Sequence, residues 1–160
     1  MKTAGDILAA INQEVWSISP TATVFEALKL MSDKNIGALP VRDKGKKVVG
    51  IVSERDYARK VVLLGKTSSK TTVEVIMTPA SHMVSIQPET SLEACMALMT
   101  IHHVRHLPVF AGERLVGMIS SRDVIEAVIA EKSGFIDNLR DLSDTLFTQG
   151  FDDHIAGGKG

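Results

Sequence analysis

The chain has 160 residues, 44% of them apolar and 23% charged, with a formal net charge of −1, a balance that suits a globular chain with a core and counts against a protein that coats nucleic acid. Its one cysteine, Cys95, excludes an intramolecular disulfide framework and fits a reducing compartment. The opening MKTAGDILAAINQEVW lacks a signal-peptide pattern, and no stretch approaches the ~20 apolar residues of a membrane span, so a cytoplasmic location is expected.

Read along the chain, the sequence repeats itself. Val15–Val41, VWSISPTATVFEALKLMSDKNIGALPV, lies over Met83–Val109, MVSIQPETSLEACMALMTIHHVRHLPV, without a gap at an offset of 68. Ser17 and Ile18 meet Ser85 and Ile86, and Pro20 meets Pro88. Leu39-Pro40-Val41 meets Leu107-Pro108-Val109. One residue is lost in the next turn, and Gly50 then meets Gly117. The lead-ins TAGDIL (Thr3–Leu8) and TVEVIM (Thr72–Met77) match as well. The organisation is therefore a first unit at 1–69, a second at 70–134 and a tail at 135–160.

Each unit predicts the same elements. A short extended piece ends at SIxP, where proline disfavours helix for the residue before it. Thr23 opens a helix with Glu26 three residues on, a capping box, and Ser91 stands in the same place in the second unit. Val24, Ala27, Leu28 and Met31 recur at helical spacing, as do Leu92, Cys95, Met96 and Met99. Two β-like runs follow, ALPV and VVGIV around RDKGKK, then HLPV and LVGMI around FAGER. A second helix starts from Arg55 or Arg122. The order is β-α-β-β-α in each unit, an α+β fold with α/β-like alternation. Units of roughly 60 residues bury their faces poorly alone, so the two are expected to pack about a pseudo-two-fold axis with two equivalent clefts.

The link LLGKTSSKTT (Leu63–Thr72) contains GKTS, the ending of a phosphate-binding loop. That motif needs a glycine five residues before Gly65, where Lys60 stands, and it should follow a strand rather than a helix. The link is a polar connector.

The phrase GIVSERD (Gly50–Asp56) returns as GMISSRD (Gly117–Asp123). Two readings compete. In the first, a helix starting after Ser53 offers free backbone N–H groups and partial positive charge to a phosphate. Ser53 and Arg55 add donors, and the Asp56 carboxylate accepts a diol such as a ribose. Ser120, Arg122 and Asp123 repeat the set. In the second, Ser-x-x-Asp is only a helix cap. Two copies at equivalent places leave capping open and fit paired sites better. Arg59 and Lys60 make the first helix the more basic, a sign either of more phosphate or of a solvated face.

The ordered set SIxP, LPV and G-φ-φ-S-x-R-D, present twice over about residues 3–131, resembles a pair of CBS domains, the tandem repeats named after cystathionine β-synthase. VIMTP (Val75–Pro79) resembles the usual lead-in to a second repeat. SERDYARK followed by RHLPV is similar to bacterial stand-alone two-repeat proteins. The resemblance implies a Bateman module, with clefts that take adenosine ligands: AMP first, or ADP, ATP, S-adenosylmethionine or NAD(H). It assigns ribose to Asp56 and Asp123, and the hydroxyl beside it to Ser53 and Ser120, with Ser121, Arg55, Arg59 and Arg122 nearby. It lays adenine against Ile36, Ala38, Leu39 and Pro40, and against Val104, His106, Leu107 and Pro108, with Gly37 and Arg105 beside them as further candidate contacts. The SI pieces contribute Ser17, Ile18, Ser85 and Ile86. It further implies a regulatory chain without catalysis, a homodimer, and a client protein.

His102, His103 and His106 crowd IHHVRH, but they span a helix end and a strand with no acid or thiol beside them. No metal is expected; a phosphate contact by Arg105 or His106 suits them better. Cys95 aligns with Ala27 as small core filler. Trp16 lies beside the cleft strand as packing, with fluorescence as a use. In the tail, Phe135, Leu139, Leu142 and Leu146 mark an amphipathic helix from Ile136 to Phe147, and disorder is expected from Gln149. The rivals are a ligand-free interaction module, in which the aspartates are only caps; an enzyme, against which the chain has no barrel-sized domain or nucleophile set; and a nucleic-acid binder, against which net charge counts.

Overall fold

A computed structural model describes residues 1–155, with the side chains of 143–155 left aside. In chain order the elements are α1 (Ala4–Ile11), α2 (Val24–Lys34), β1 (Ala38–Arg42), β2 (Val48–Ser53) and α3 (Glu54–Tyr57), which runs on into a π-helical turn, Ala58–Val62. Then come α4 (Val73–Ile76), β3 (Thr78–Pro79), a 3-10 turn (Ala80–His82), α5 (Leu92–Ile101), β4 (His106–Ala111), β5 (Arg114–Ser120) and α6 (Ser121–Ile155). The mixed α+β architecture expected from the repeat is present. None of the described helices is long and apolar enough to cross a membrane.

Local chemistry starts and stops these helices. Thr3 with Asp6 and Thr23 with Glu26 form reciprocal capping boxes, and the hydrogen bonds hold both carboxylates below their ordinary pKa. Ser91 accepts from the Ala94 N–H without a returning acid, because position N3 is alanine. Asn12 and Asn35 end α1 and α2 in the left-handed region (φ 46° and 53°). His103 takes the equivalent place after α5, also at φ 53°, which gives it a structural role in the chain turn.

β1 and β2 pair antiparallel with β3 added at the β2 edge; β4 and β5 form a second antiparallel pair. Both hairpins slip register at the same repeat position, between Val41 and Arg42 and between Val109 and Phe110. The SI pieces are shorter than expected: single parallel bridges, Ile18 to Val41 and Ile86 to Val109. Pro20 and Pro88 have no N–H to lend a longer ladder.

The pseudo-two-fold relation is written in backbone hydrogen bonds. The Ala4 N–H donates to Thr90 O and Gly5 N–H to Pro88 O; the Val73 N–H donates to Ala22 O and Glu74 N–H to Pro20 O. The lead-in helices are thereby exchanged. α1 gives Ala4 and Ile7 to the core of Ile86, Leu92, Cys95, Leu107, Val109 and Ile119. α4 gives Val73 and Ile76 to the core of Val24, Met31, Leu39, Val41 and Val52. Each packing unit therefore draws on both 1–69 and 70–134. Cys95 lies inside its core, where burial pushes the thiol pKa up, as suits filler.

This exchange explains the glycine that opens each repeated phrase. A Cβ on Gly50 would lie 2.5 Å from the Thr78 carbonyl oxygen and 2.8 Å from the Met77 sulfur, and one on Gly117 would run into the Leu8 side chain. Leu8 and Met77 are matching lead-in residues.

The second helix of the second unit and the tail helix, expected as separate pieces, are one helix. Gly134 lowers helix propensity by about 1 kcal/mol relative to Ala without breaking the ladder, and no proline intervenes. The backbone of 149–155 continues this helix, where disorder was expected, and residues 156–160 lie outside the described residues.

Candidate functional site

Ser53 and Ser120 each close a strand and cap a helix. The Asp56 Oδ2 accepts from the Ser53 N–H (2.9 Å) and hydroxyl (3.1 Å). The Asp123 Oδ2 accepts from the Ser120 N–H (2.7 Å) and hydroxyl (2.6 Å). The capping geometry is thus real in both copies. It uses one carboxylate oxygen of each aspartate and leaves the other to be accounted for.

The two copies differ at that second oxygen. Asp123 Oδ1 has no hydrogen-bond or ion-pair partner among the described residues, whereas Asp56 Oδ1 is paired with Lys60 Nζ at 3.0 Å. Lys60 also donates to the Ile76 carbonyl at 2.7 Å, and Arg55 Nη1 donates to the His103 carbonyl at 2.7 Å. Of the two basic residues that mark the first helix, Lys60 is thus committed to protein oxygens, while Arg59 is exposed.

A cleft of about 870 Å³ opens over Asp123. One wall is α1 with the segment 13–16; the floor is Ile36–Ala38 and Pro40; the other wall is Arg105, His106, Met118 and residues 120–123, 126, 127 and 130. The site therefore combines the strand entry of the first repeat with the phrase of the second. The expected residues brought together are Ile36, Gly37, Ala38, Pro40, Arg105, His106, Ser120, Ser121, Arg122 and Asp123.

The remaining expected residues lie elsewhere. Leu39 and Leu107 are fully buried in the two cores, because alternation along β1 and β4 turns them away from the face that carries their neighbours. Ile86 and Pro108 are buried too, Ile86 in the second core. Ser17 and Ile18 are half-buried, Ile18 against the first core; Val104 packs on the second core, and Ser85 is exposed. Ser53, Arg55, Asp56 and Arg59 lie outside this cleft.

Sequence reasoning missed the α1 wall, Asp6, Ile7, Leu8, Ala10 and Ile11, together with Lys2 before it and Gln13, Glu14, Val15, Asn35, Met118, Glu126, Ala127 and Ala130. The matching lead-ins signalled a shared role for α1 and α4. Their exchange between units, which sets which cleft α1 borders, is a tertiary fact.

Charges of both signs meet here. Lys2, Arg105 and Arg122 face the cleft with Asp6, Glu14, Asp123 and Glu126. Arg122 and Glu126 form an exposed pair at 2.8 Å, which water screens to little net energy. Burial pushes the His106 pKa below its ordinary value; Asp123 pulls it back up while Arg105 and Arg55 push it further down. The imidazole is neutral at pH 7 and offers one donor and one acceptor. Gly37 makes room for it: a Cβ there would sit 3.3 Å from the ring. Trp16 lines the entrance with Lys34 Nζ 3.8 Å above its ring centre, a cation–π contact. Among the described residues no group of three or more His, Cys, Asp or Glu could hold a metal ion.

Comparison with known proteins agrees with this frame. The family model for the CBS domain matches residues 4–63 and 73–130. The Arabidopsis thaliana CBS domain-containing protein CBSX3, mitochondrial, is 40% identical over 111 residues, which are 68% of this chain and 54% of that protein, so this chain spans about half of that relative. A solved putative signal-transduction protein with CBS domains from Burkholderia ambifaria is 45% identical, with a TM-score of 0.76, over 81% of this chain and 95% of that one. The crystal structure of CBSX2 in complex with AMP is 28% identical, with a TM-score of 0.65, over 82% of this chain and 99% of that one. Two matched repeats, exchanged lead-ins and a twice-used phrase place this chain in the CBS-domain family as a tandem pair.

Proposed function

We propose that this chain is a regulatory module, without catalysis of its own, that binds an adenine nucleotide in the cleft over Asp123. AMP is the first choice and NAD(H), ADP and ATP are the alternatives. The observation that carries the reading is the uncommitted Asp123 Oδ1 at the foot of that cleft. A carboxylate with one oxygen fixed by a cap and the other open is a ready acceptor for the two hydroxyls of a ribose. The α6 N-terminus, with Ser121, Arg122 and Arg105, offers donors to a phosphate. Ile36, Ala38 and Pro40 give adenine an apolar bed. A CBS-pair neighbour of the same fold, CBSX2, has been solved with AMP.

Binding shifts how the repeats and the long α6 sit by the ligand's differential affinity for the two arrangements. Exposed Met96, Ile101, Ile125 and Ile129 on α5 and α6 favour a homodimer, and a client protein would read its state. The buried Cys95 thiol suits a reducing, cytoplasmic setting.

The test is a thermal melt with AMP, ADP, ATP, NAD⁺, NADH, S-adenosylmethionine and GMP, with Trp16 emission followed in parallel. A ligand at a hundred times its dissociation constant adds about 2.7 kcal/mol. At this chain length that is a rise of roughly 5–10 °C. The expected result is an adenine-selective rise that Asp123→Asn removes. A melt unmoved by the whole panel returns the phrase to capping alone and moves the search to protein partners.

A further inference from the structure

The two repeats present the same aspartate on the same cap, so the family frame by itself offers two equivalent carboxylates. Their neighbours four residues on decide whether each is available. In the first repeat that neighbour is Lys60, and its ammonium lies 3.0 Å from Asp56 Oδ1. In the second repeat it is Ala127, which lines the open cleft. With Oδ2 taken by Ser53 and Oδ1 by Lys60, Asp56 has both oxygens committed inside the protein.

Lys60 is anchored from a second side. Its Nζ donates to the Ile76 carbonyl at the end of α4, 2.7 Å away. The ammonium therefore bridges the first repeat's phrase and the lead-in helix exchanged from the second half. The Asp56 side chain is 15% exposed and that of Lys60 43%, so the carboxylate is shielded from water while the ammonium keeps a wet side. Ala127 cannot make such a bridge to Asp123.

We infer that Lys60 is an internal cation that closes the first repeat's carboxylate, so that the chain takes one nucleotide, at Asp123, and not two. Lys60 and Ala127 are thus the residues that set stoichiometry. This rests on the nucleotide reading above and deepens it: a diol could reach Asp56 only by displacing the ammonium from two acceptors at once.

The experiment is a calorimetric titration of the full chain with AMP, in four forms: wild type, Lys60→Ala, Lys60→Ala with Asp56→Asn, and Ala127→Lys. The expected stoichiometry is one per chain in the wild type, two in Lys60→Ala, and one again when Asp56→Asn is added. Ala127→Lys, which transplants the cation, should weaken the remaining site at least tenfold. Two sites in the wild type, or a single site in Lys60→Ala, overturn the inference while leaving nucleotide binding intact. Absence of heat and of any Trp16 response in every form overturns both.

Discussion

Asp56 and Asp123 hold the same place in their repeats, and each accepts from the N–H and hydroxyl of the serine three residues earlier. Beyond that cap the surroundings part. Asp56 is tied to Lys60, while Asp123 looks into an 870 Å³ cleft. Ala38 in the first repeat becomes His106 in the second, Gly37 becomes Arg105, and Trp16 becomes Val84. The duplicated backbone supplies the frame twice. A few side chains at equivalent positions make the two copies of the frame unlike.

The cores should be where the repeats are most alike, and where damage is greatest. Leu39 and Leu107 are both 0% exposed, each within its own cluster. Leu39→Ala and Leu107→Ala are each expected to cost about 3 kcal/mol, the transfer and cavity cost of a well-packed leucine. Urea unfolding of the two variants checks this. A loss in one more than 1.5 kcal/mol larger than in the other would break the equivalence of the packing units.

The opening glycines should be less alike. A Cβ on Gly50 meets the Thr78 backbone carbonyl, which cannot turn aside, while a Cβ on Gly117 meets the tip of Leu8, which can change rotamer. Overpacking costs about 1–3 kcal/mol, so Gly50→Ala belongs at the upper end and Gly117→Ala at the lower. The same unfolding curves measure both. The reverse order would mean that the α1 side of the molecule is the tighter one.

Much of this frame was legible in the residues. The offset of 68, the matched glycines and the two capping phrases follow from local chemistry that repeats in register. So do the α2 capping box and the helical stripes of α2 and α5. The site was legible only in part. Asp123, Ser120 and His106 follow from the phrase and the strand, but the resemblance groups Leu39 and Leu107 with them, and alternation buries both. The pairing of the first repeat's strand with the second repeat's phrase is a tertiary contact, and the α1 wall and the Lys60 bridge depend on the exchange of lead-in helices. That exchange is a long-range choice between two nearly identical docking faces, and local pattern does not distinguish them. The single α6 is hidden for a different reason: the repeat ends at 134, which sets the tail apart, while the helix runs on through Gly134 at a cost that is small beside a ladder of 35 residues.

The smallest expected effect isolates His106, a buried imidazole in the second repeat where the first has Ala38. His106 takes a proton near pH 6.5 in the unfolded chain and at a lower pH in the folded one, chiefly because burial disfavours the imidazolium. Between those two values the unfolded state holds more protons. Stability therefore falls as pH drops from 7 through that window, and it levels off once both states are protonated. Asp123 opposes the shift, so it narrows the window, while Arg105 and Arg55 widen it. Ala38, the counterpart of His106, contributes nothing of the kind. His106→Gln should flatten the stability profile between pH 7 and 5 relative to wild type, whereas Ala38→Ser should leave its slope alone. Urea midpoints at half-unit pH steps give the comparison. A wild-type profile that rises toward acid in this window would mean that Asp123 outweighs burial and that the imidazole is charged over the cleft.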